Sequence, residues 1–196
     1  MNLLERIPPY SKKILAALEA AGFEAYLVGG AVRDLLLNLT PGDYDITTNA
    51  RPEQVLELCR KLDWYTVDNL GNNFGCVVIV LDGEPTEVTT FRGESYGSGD
   101  AHRPEKIWYC HKLEDDLSRR DFTVNAMAMD LRGKVYDYFG GQQDLQSKIL
   151  RTVGNAAQRY QEDGLRMLRA CRFVAQLGFT YVQAEGILPA LSLIHI

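Results

Sequence analysis

The sequence predicts an α+β domain that gives way, near residue 150, to an all-α segment. Three observations carry that prediction. An apolar strand, Ala25 to Val28, runs into Gly29-Gly30 and a helical stretch, and Asp43-Tyr44-Asp45 leads into a second strand. Two β-branched runs, Cys76 to Leu81 and Thr86 to Thr90, are joined through Asp82-Gly83, a hairpin dipeptide. From Asn155 onward, apolar residues recur at helical rather than alternating spacing.

The elements follow in order. Ser11 to Ala21 has helical periodicity through Ile14, Leu15 and Leu18 and stops at Gly22. After the Gly-Gly turn a helix runs to Asn38, Thr40-Pro41-Gly42 forms a loop, and Tyr44 to Thr48 is the second strand. Pro52 opens a helix to about Leu62, as proline does at a first helical position. A strand follows near Trp64 to Val67, then the hairpin. Phe91 to Pro104, polar and rich in glycine (Gly93, Gly97, Gly99), is expected to be a mobile loop. Short strands at Ile107 to Tyr109 and Val135 to Phe139 precede Gly140-Gly141 and a short helix. The last segment shows an apolar stripe of Met167, Leu168, Cys171, Val174 and Ala175.

At 196 residues, 46% hydrophobic and 24% charged, the chain has the composition of one ordinary globular domain or one plus a fragment. No run approaches the roughly 18 apolar residues of a membrane span. The start, Met1-Asn2-Leu3-Leu4-Glu5-Arg6, has no basic region followed by an apolar core, so a secretion signal is not supported. The scattered Cys59, Cys76, Cys110 and Cys171 read as reduced core residues of a cytoplasmic protein, since no C-x-x-C pair suggests zinc. The net charge of −5 argues mildly against a self-sufficient nucleic-acid binder. Arginines are nevertheless dense at Arg119-Arg120 and in the series Arg159, Arg166, Arg169, Arg172.

The chemistry centres on Asp43 and Asp45. Alternate residues of a strand share a face, so this spacing presents two carboxylates to one hard cation. Mg²⁺ favours oxygen ligands from one or two carboxylates plus substrate phosphates. Gly29 and Gly30, ahead of a helix, allow a phosphate to approach backbone amides. Each half has a bland reading: D-x-D recurs in many strands, Gly-Gly is often only a tight turn, and Arg33-Asp34 reads equally as a local ion pair. The order strand, Gly-Gly, Arg, helix, Asp-x-Asp is more restrictive, because it collects every part at one end of a sheet. Glu87 is a third carboxylate if its strand neighbours that pair, and a solvated surface residue otherwise. Arg119-Arg120-Asp121 with Asn125 offers donors for phosphate and acceptors for sugar hydroxyls. Arg166 forms helix-stabilising pairs with Glu162 (i, i+4) and Asp163 (i, i+3), or Asp163 and Arg166 present an edge that hydrogen-bonds a nucleobase.

With these segments together, the chain resembles the head and neck of the class II tRNA nucleotidyltransferases, a family that includes CCA-adding enzymes and bacterial poly(A) polymerases. The resemblance runs from about Tyr26 to Phe179. It rests on Gly29-Gly30-Ala31-Val32-Arg33-Asp34 with Asp43-x-Asp45, on Arg119-Arg120-Asp121 with Asn125, on Asp137 with Gly140-Gly141 and Arg151, and on Glu162-Asp163-x-x-Arg166. It implies a polymerase-β-like head, α+β with a mixed sheet and flanking helices, over residues 1–150, and an α-helical neck over 151–196. It further implies addition of CMP and AMP from CTP and ATP to the 3′ end of tRNA in the cytoplasm, without a membrane partner. Asp43 and Asp45 would hold two Mg²⁺ ions and Glu87 would join them in catalysis. Gly29, Gly30, Arg33, Arg120, Asp121, Asn125, Asp163 and Arg166 would bind the nucleotide. Poly(A), CC-only or A-only addition, or a nucleotide-binding module without turnover, are alternatives; a metal-dependent phosphohydrolase is a more distant one. Two departures from the family pattern are expected to matter. Gly164 would loosen the base-reading helix at about 1 kcal/mol against Ala. The ending Leu191 to Ile196 breaks the amphipathic pattern, as in a truncated neck with body and tail absent.

Overall fold

The computed structural model describes residues 3–67, 75–95 and 106–183. Helix α1 (Pro9–Ala20) leads to β1 (Ala25–Val28), α2 (Gly30–Leu36), β2 (Ile46–Thr48) and α3 (Pro52–Lys61). Strands β3 (Tyr65–Val67), β4 (Cys76–Leu81), β5 (Glu84–Thr90), β6 (Arg92–Ser95) and β7 (Lys106–Tyr109) follow. Next come α4 (Leu113–Ser118), β8 (Met127–Met129), β9 (Val135–Asp137), α5 (Gly141–Ser147) and β10 (Ile149–Leu150). The chain then forms α6 (Ala156–Glu162), α7 (Leu165–Leu177) and β11 (Thr180–Tyr181).

Seven strands of the described residues form one mixed sheet in the order β3-β4-β5-β2-β1-β8-β9. Its neighbours pair antiparallel except β2 and β5, which run parallel with Ile46 opposite Val88. At the β4–β5 turn Asp82 and Gly83 have φ of 55° and 83°, as a two-residue hairpin of the primed type requires. Strict alternation on β1 splits the sheet into two faces. Ala25 and Leu27 join the main core with Ile14, Leu15, Leu18 and Val55 from α1 and α3. Tyr26 and Val28 turn to a smaller cluster with Phe91, Leu113 and Leu117.

The helical segment shares the main core. Phe173 of α7 meets Phe122 edge-on with ring centres 5.7 Å apart, and Ala170, Phe173 and Phe179 belong to the same cluster as the sheet. Strands β10 and β11 pair parallel across the junction. At Gly141 an added Cβ would stand 2.3 Å from the Thr123 carbonyl oxygen, so only glycine lets α5 start this close to the site segment.

Several expectations are corrected. Arg92–Ser95, read as loop, is a strand paired with Lys106–Tyr109, because Trp108 packs over Gly93 where a larger residue would clash. The rest of that expected mobile loop, 96–104, lies outside the described residues. The second strand begins at Ile46, so Asp43 and Asp45 lie in the extended approach to it. The buried face of α7 is Arg166, Met167, Ala170 and Phe173; Leu168 is 64% exposed, and Cys171 and Ala175 also face outward. The expected stripe counted apolar residues and passed over an arginine that is buried because it is paired. Cys171 is therefore no core residue; all four cysteines are free. Gly164 stands at the N-cap of α7 and not inside a helix, so the expected helix-propensity cost does not arise. The expected break of pattern at Leu191 to Ile196 lies outside the described residues.

Candidate active site

The ends of β1 and β2, the α4 region and the start of α7 enclose a cavity of about 740 Å³. Ten of the eleven expected site residues line it: Gly29, Gly30, Arg33, Asp43, Asp45, Arg120, Asp121, Asn125, Asp163 and Arg166. Glu87 does not, but one step back from the Ile46–Val88 pairing puts it abreast of Asp45 on the next strand. Glu87 is exposed, so its strand placement makes it a neighbour of the pair without enclosing it.

Gly29 turns the chain from β1 into α2 with φ of 73°, and a Cβ there would lie 3.1 Å from Arg120 Nη1. Glycine thus serves both the positive φ and the approach of the guanidinium. Arg33, nearly fully buried, donates from Nε and Nη2 to both oxygens of Asp34 and from Nη1 to Asn125 Oδ1 at 2.7 Å. The ion-pair reading of Arg33-Asp34 is thus real, and it also ties α2 to Asn125.

The acidic side centres on Asp45. Its backbone carbonyl accepts from Val28, which extends the β1–β2 ladder past the strand proper. Burial, then the neighbouring Asp43 and Glu87, push its carboxyl up to about 6, with Arg120 opposing. A cation between these acids would relieve that repulsion, so the donor set fits a hard divalent ion. Among the described residues no three His, Cys, Asp or Glu side chains form a complete metal cage. An ion held by Asp43 and Asp45 alone would keep coordination positions open for other oxygens.

Asp116 was not singled out in the sequence, where it sits inside Glu114-Asp115-Asp116. The signal was helical phase: Leu113, Asp116 and Leu117 form the buried face of α4. Wholly buried, its carboxylate accepts from Thr47 Oγ1 at 3.0 Å, from the Arg92 amide at 3.3 Å and from Arg119 Nε at 3.0 Å. It also pairs with Arg120 Nη2 at 3.5 Å. Burial alone would raise its pKa, but Arg119 and Arg120 outweigh that and hold it below the usual carboxylate range. Arg120 keeps a buried Nε with no acceptor among the described residues. That costs about 1–3 kcal/mol, which a purely structural arginine would avoid. Glu94, Arg169, Arg172 and Phe173 are further lining residues that none of these motifs assigns.

The segment Glu162 to Arg166 is a break between two helices. Asp163 is extended (φ −150°, ψ 105°) and its Oδ1 caps the Leu165 amide at 2.9 Å. Arg166 donates to Glu162 Oε2 at 3.0 Å and to the Arg119 carbonyl at 3.2 Å. The i, i+4 pair therefore exists, and it holds Arg166 at the cavity wall.

The model of the poly(A) polymerase head domain matches residues 25–151. The chain belongs to that family. Among its relatives, the CCA-adding enzyme of Bacillus subtilis (strain 168) is 49% identical over 177 residues, covering 90% of this chain and 43% of that protein. The crystal structure of Bacillus stearothermophilus CCA-adding enzyme in complex with CTP superimposes with a TM-score of 0.79 at 44% identity, covering 90% of this chain and 42% of that one. A tRNA nucleotidyltransferase complexed with a primer tRNA and an incoming ATP analog gives a TM-score of 0.72 at 30% identity, covering 92% and 50%. The chain thus spans less than half the length of these two CCA-adding enzymes. Poly(A) polymerase heads carry out nucleotidyl transfer with divalent metal ions, the chemistry for which the carboxylate pair is suited. Among the described residues no helix is long and apolar enough to cross a membrane.

Proposed function

We propose that this chain carries the catalytic head, over 1–150, and the nucleotide-selecting neck, over 151–196, of a cytoplasmic template-independent RNA nucleotidyltransferase. It adds CMP and AMP from CTP and ATP to the 3′ end of tRNA. The observation that carries this reading is that Asp43 and Asp45, at one end of the sheet, share a cavity with Asp163 and Arg166 at the start of α7. The relatives named as CCA-adding enzymes, one of them bound to CTP, support it.

In this reading Asp43 and Asp45 would hold two Mg²⁺ ions. The ions supply neutralisation of phosphate charge and activation of the acceptor 3′-hydroxyl. Arg120, Asp121 and Asn125 hold the parts common to every nucleotide, while Gly29, Gly30 and Arg33 shape the phosphate end. Glu87, abreast of Asp45, takes the proton of the attacking hydroxyl. The 3′-oxygen forms a bond to the α-phosphorus, the α–β phosphoanhydride breaks, and pyrophosphate leaves.

Incubation with tRNA lacking its 3′ end, CTP, ATP and Mg²⁺ tests the reading: 3′ extension by C and A supports it, and a poly(A) product replaces it with the sister activity. A second reading is a nucleotide-binding module without turnover. CTP binding without extension is its signature.

Two expectations follow from the geometry. A proton competes with the metal at a carboxyl pushed up to about 6, so apparent Mg²⁺ affinity falls as pH drops through 6 and levels off above 7. Titration of metal-dependent CTP binding between pH 5 and 8 reads this directly. If Asp163 and Arg166 hydrogen-bond the edge of C or A, Arg166→Ala relaxes discrimination against UTP and GTP. The wrong base leaves polar groups unpaired at about 1–3 kcal/mol each, so the loss is roughly 5- to 150-fold in the ratio of kcat/KM values. Wild-type selectivity in that variant would reduce the pairs to helix stabilisers.

A further inference from the structure

We propose that Arg169, on the neck helix α7, is a positioning residue for sugar selection. It acts by fixing the one carboxylate oxygen of Asp121 that still has room for a ribose hydroxyl. The inference rests on the nucleotidyltransferase reading of the cavity.

The acceptor count at Asp121 carries it. Asp121 is 8% exposed and lines the cavity. Its Oδ1 accepts the Phe122 amide at 2.8 Å and Asn125 Nδ2 at 3.4 Å. A carboxylate oxygen offers two acceptor positions, so Oδ1 is fully used. Oδ2 accepts from Arg169 Nε at 2.6 Å and has one position left. A sugar hydroxyl that donates to Asp121 therefore binds Oδ2, beside the Arg169 donor. This charge-assisted bond spans 48 residues and joins the neck to the head. Arg169 is itself braced, its guanidinium lying over the Phe173 ring with 5.6 Å to the centroid. Phe173 is buried in the core shared by both parts. The aim of the Asp121 carboxylate is thus set from the neck, separately from the Asp163 and Arg166 edge assigned to the base.

The test compares two selectivities in one protein. Binding of CTP, dCTP and UTP in Mg²⁺ is measured for the wild type, Arg169→Ala and Asp121→Ala. Arg169→Ala is expected to narrow the preference for CTP over dCTP by roughly three- to tenfold, the worth of one oriented hydrogen bond. The preference for CTP over UTP stays at the wild-type value. A general loosening of α7 would lower both ratios together, and that result overturns the proposal. Unchanged sugar selectivity in Arg169→Ala, with Asp121→Ala losing it, also overturns the proposal and leaves the cavity's function standing. If Asp121→Ala keeps full sugar selectivity, Asp121 is not the sugar acceptor, and the proposal fails together with that role. Should Arg169→Ala not fold, Arg169→Lys keeps a cation near Oδ2 without the planar Nε donor, and the same two ratios decide.

Discussion

Asp45→Ala abolishes transfer of CMP and AMP to a tRNA acceptor while the protein stays folded. Metal-held stabilisation of phosphate charge is worth several kcal/mol, and each 1.4 kcal/mol or so is tenfold in rate, so the expected loss is at least about 10³-fold. The intact fold follows from electrostatics. Asp45 carries a pKa raised to about 6 by burial, then by Asp43 and Glu87. For a raised acid the stabilising form is the protonated one. Its contribution is complete below the unfolded-state value near 4 and disappears as pH rises through 6. Above pH 6 without metal, the charged carboxylate strains the fold, so its removal leaves Tm unchanged or a few degrees higher. Label incorporation read beside thermal melting separates the two effects. Undiminished Mg²⁺-dependent incorporation would sink the assignment of Asp45.

The second large effect is on stability. Asp116→Ala strips the buried counter-charge from Arg119 and Arg120 and the acceptor from Thr47 and the Arg92 amide. Breaking a buried pair by removing one partner costs about 3–5 kcal/mol, a fall in Tm on the order of 10 °C for a chain of this size. The sign with pH is opposite to that of Asp45. Asp116 is held below the ordinary range, against the upward push of burial, by Arg119 and Arg120. Its contribution is present above the unfolded value near 4 and fades as pH falls below it. The wild type and Asp116→Asn should therefore converge in melting temperature under strongly acidic conditions. A gap that persists unchanged to pH 2 would mean that packing, not charge, is what Asp116 supplies.

These residues show what a sequence reveals and what it conceals. Asp43, Asp45 and the Gly29-Gly30 turn were legible because local spacing fixes them: a strand end, a positive φ and a period of two. The placement of Glu87 was open until the β2–β5 pairing set it abreast of Asp45, since parallel neighbours are not adjacent in sequence. Asp116 was hidden because a carboxylate in an acidic run reads as solvent-facing, and only its phase with Leu113 and Leu117 betrays it. Arg166 and Leu168 show the converse on α7. The arginine is inside because Glu162 and the Arg119 carbonyl satisfy it, and the leucine is left outside. Apolar counting misjudges a helix whose buried face includes a paired arginine. Cys171 was misjudged for the same reason, by type rather than by partner.

The parallel pairing of β2 and β5 also sets a timetable. Hairpins such as β4–β5 close through a two-residue turn, while Ile46 meets Val88 only after the intervening helix and two strands have been made and folded back. Loop closure over such a span has to precede its reward, which slows formation of non-local pairs. During synthesis, Asp43 and Asp45 leave the ribosome long before Glu87 does. The nascent chain accordingly gains Glu87 beside Asp43 and Asp45 only when β5 docks, so the third carboxylate of the proposed metal site arrives as one of the later events of folding.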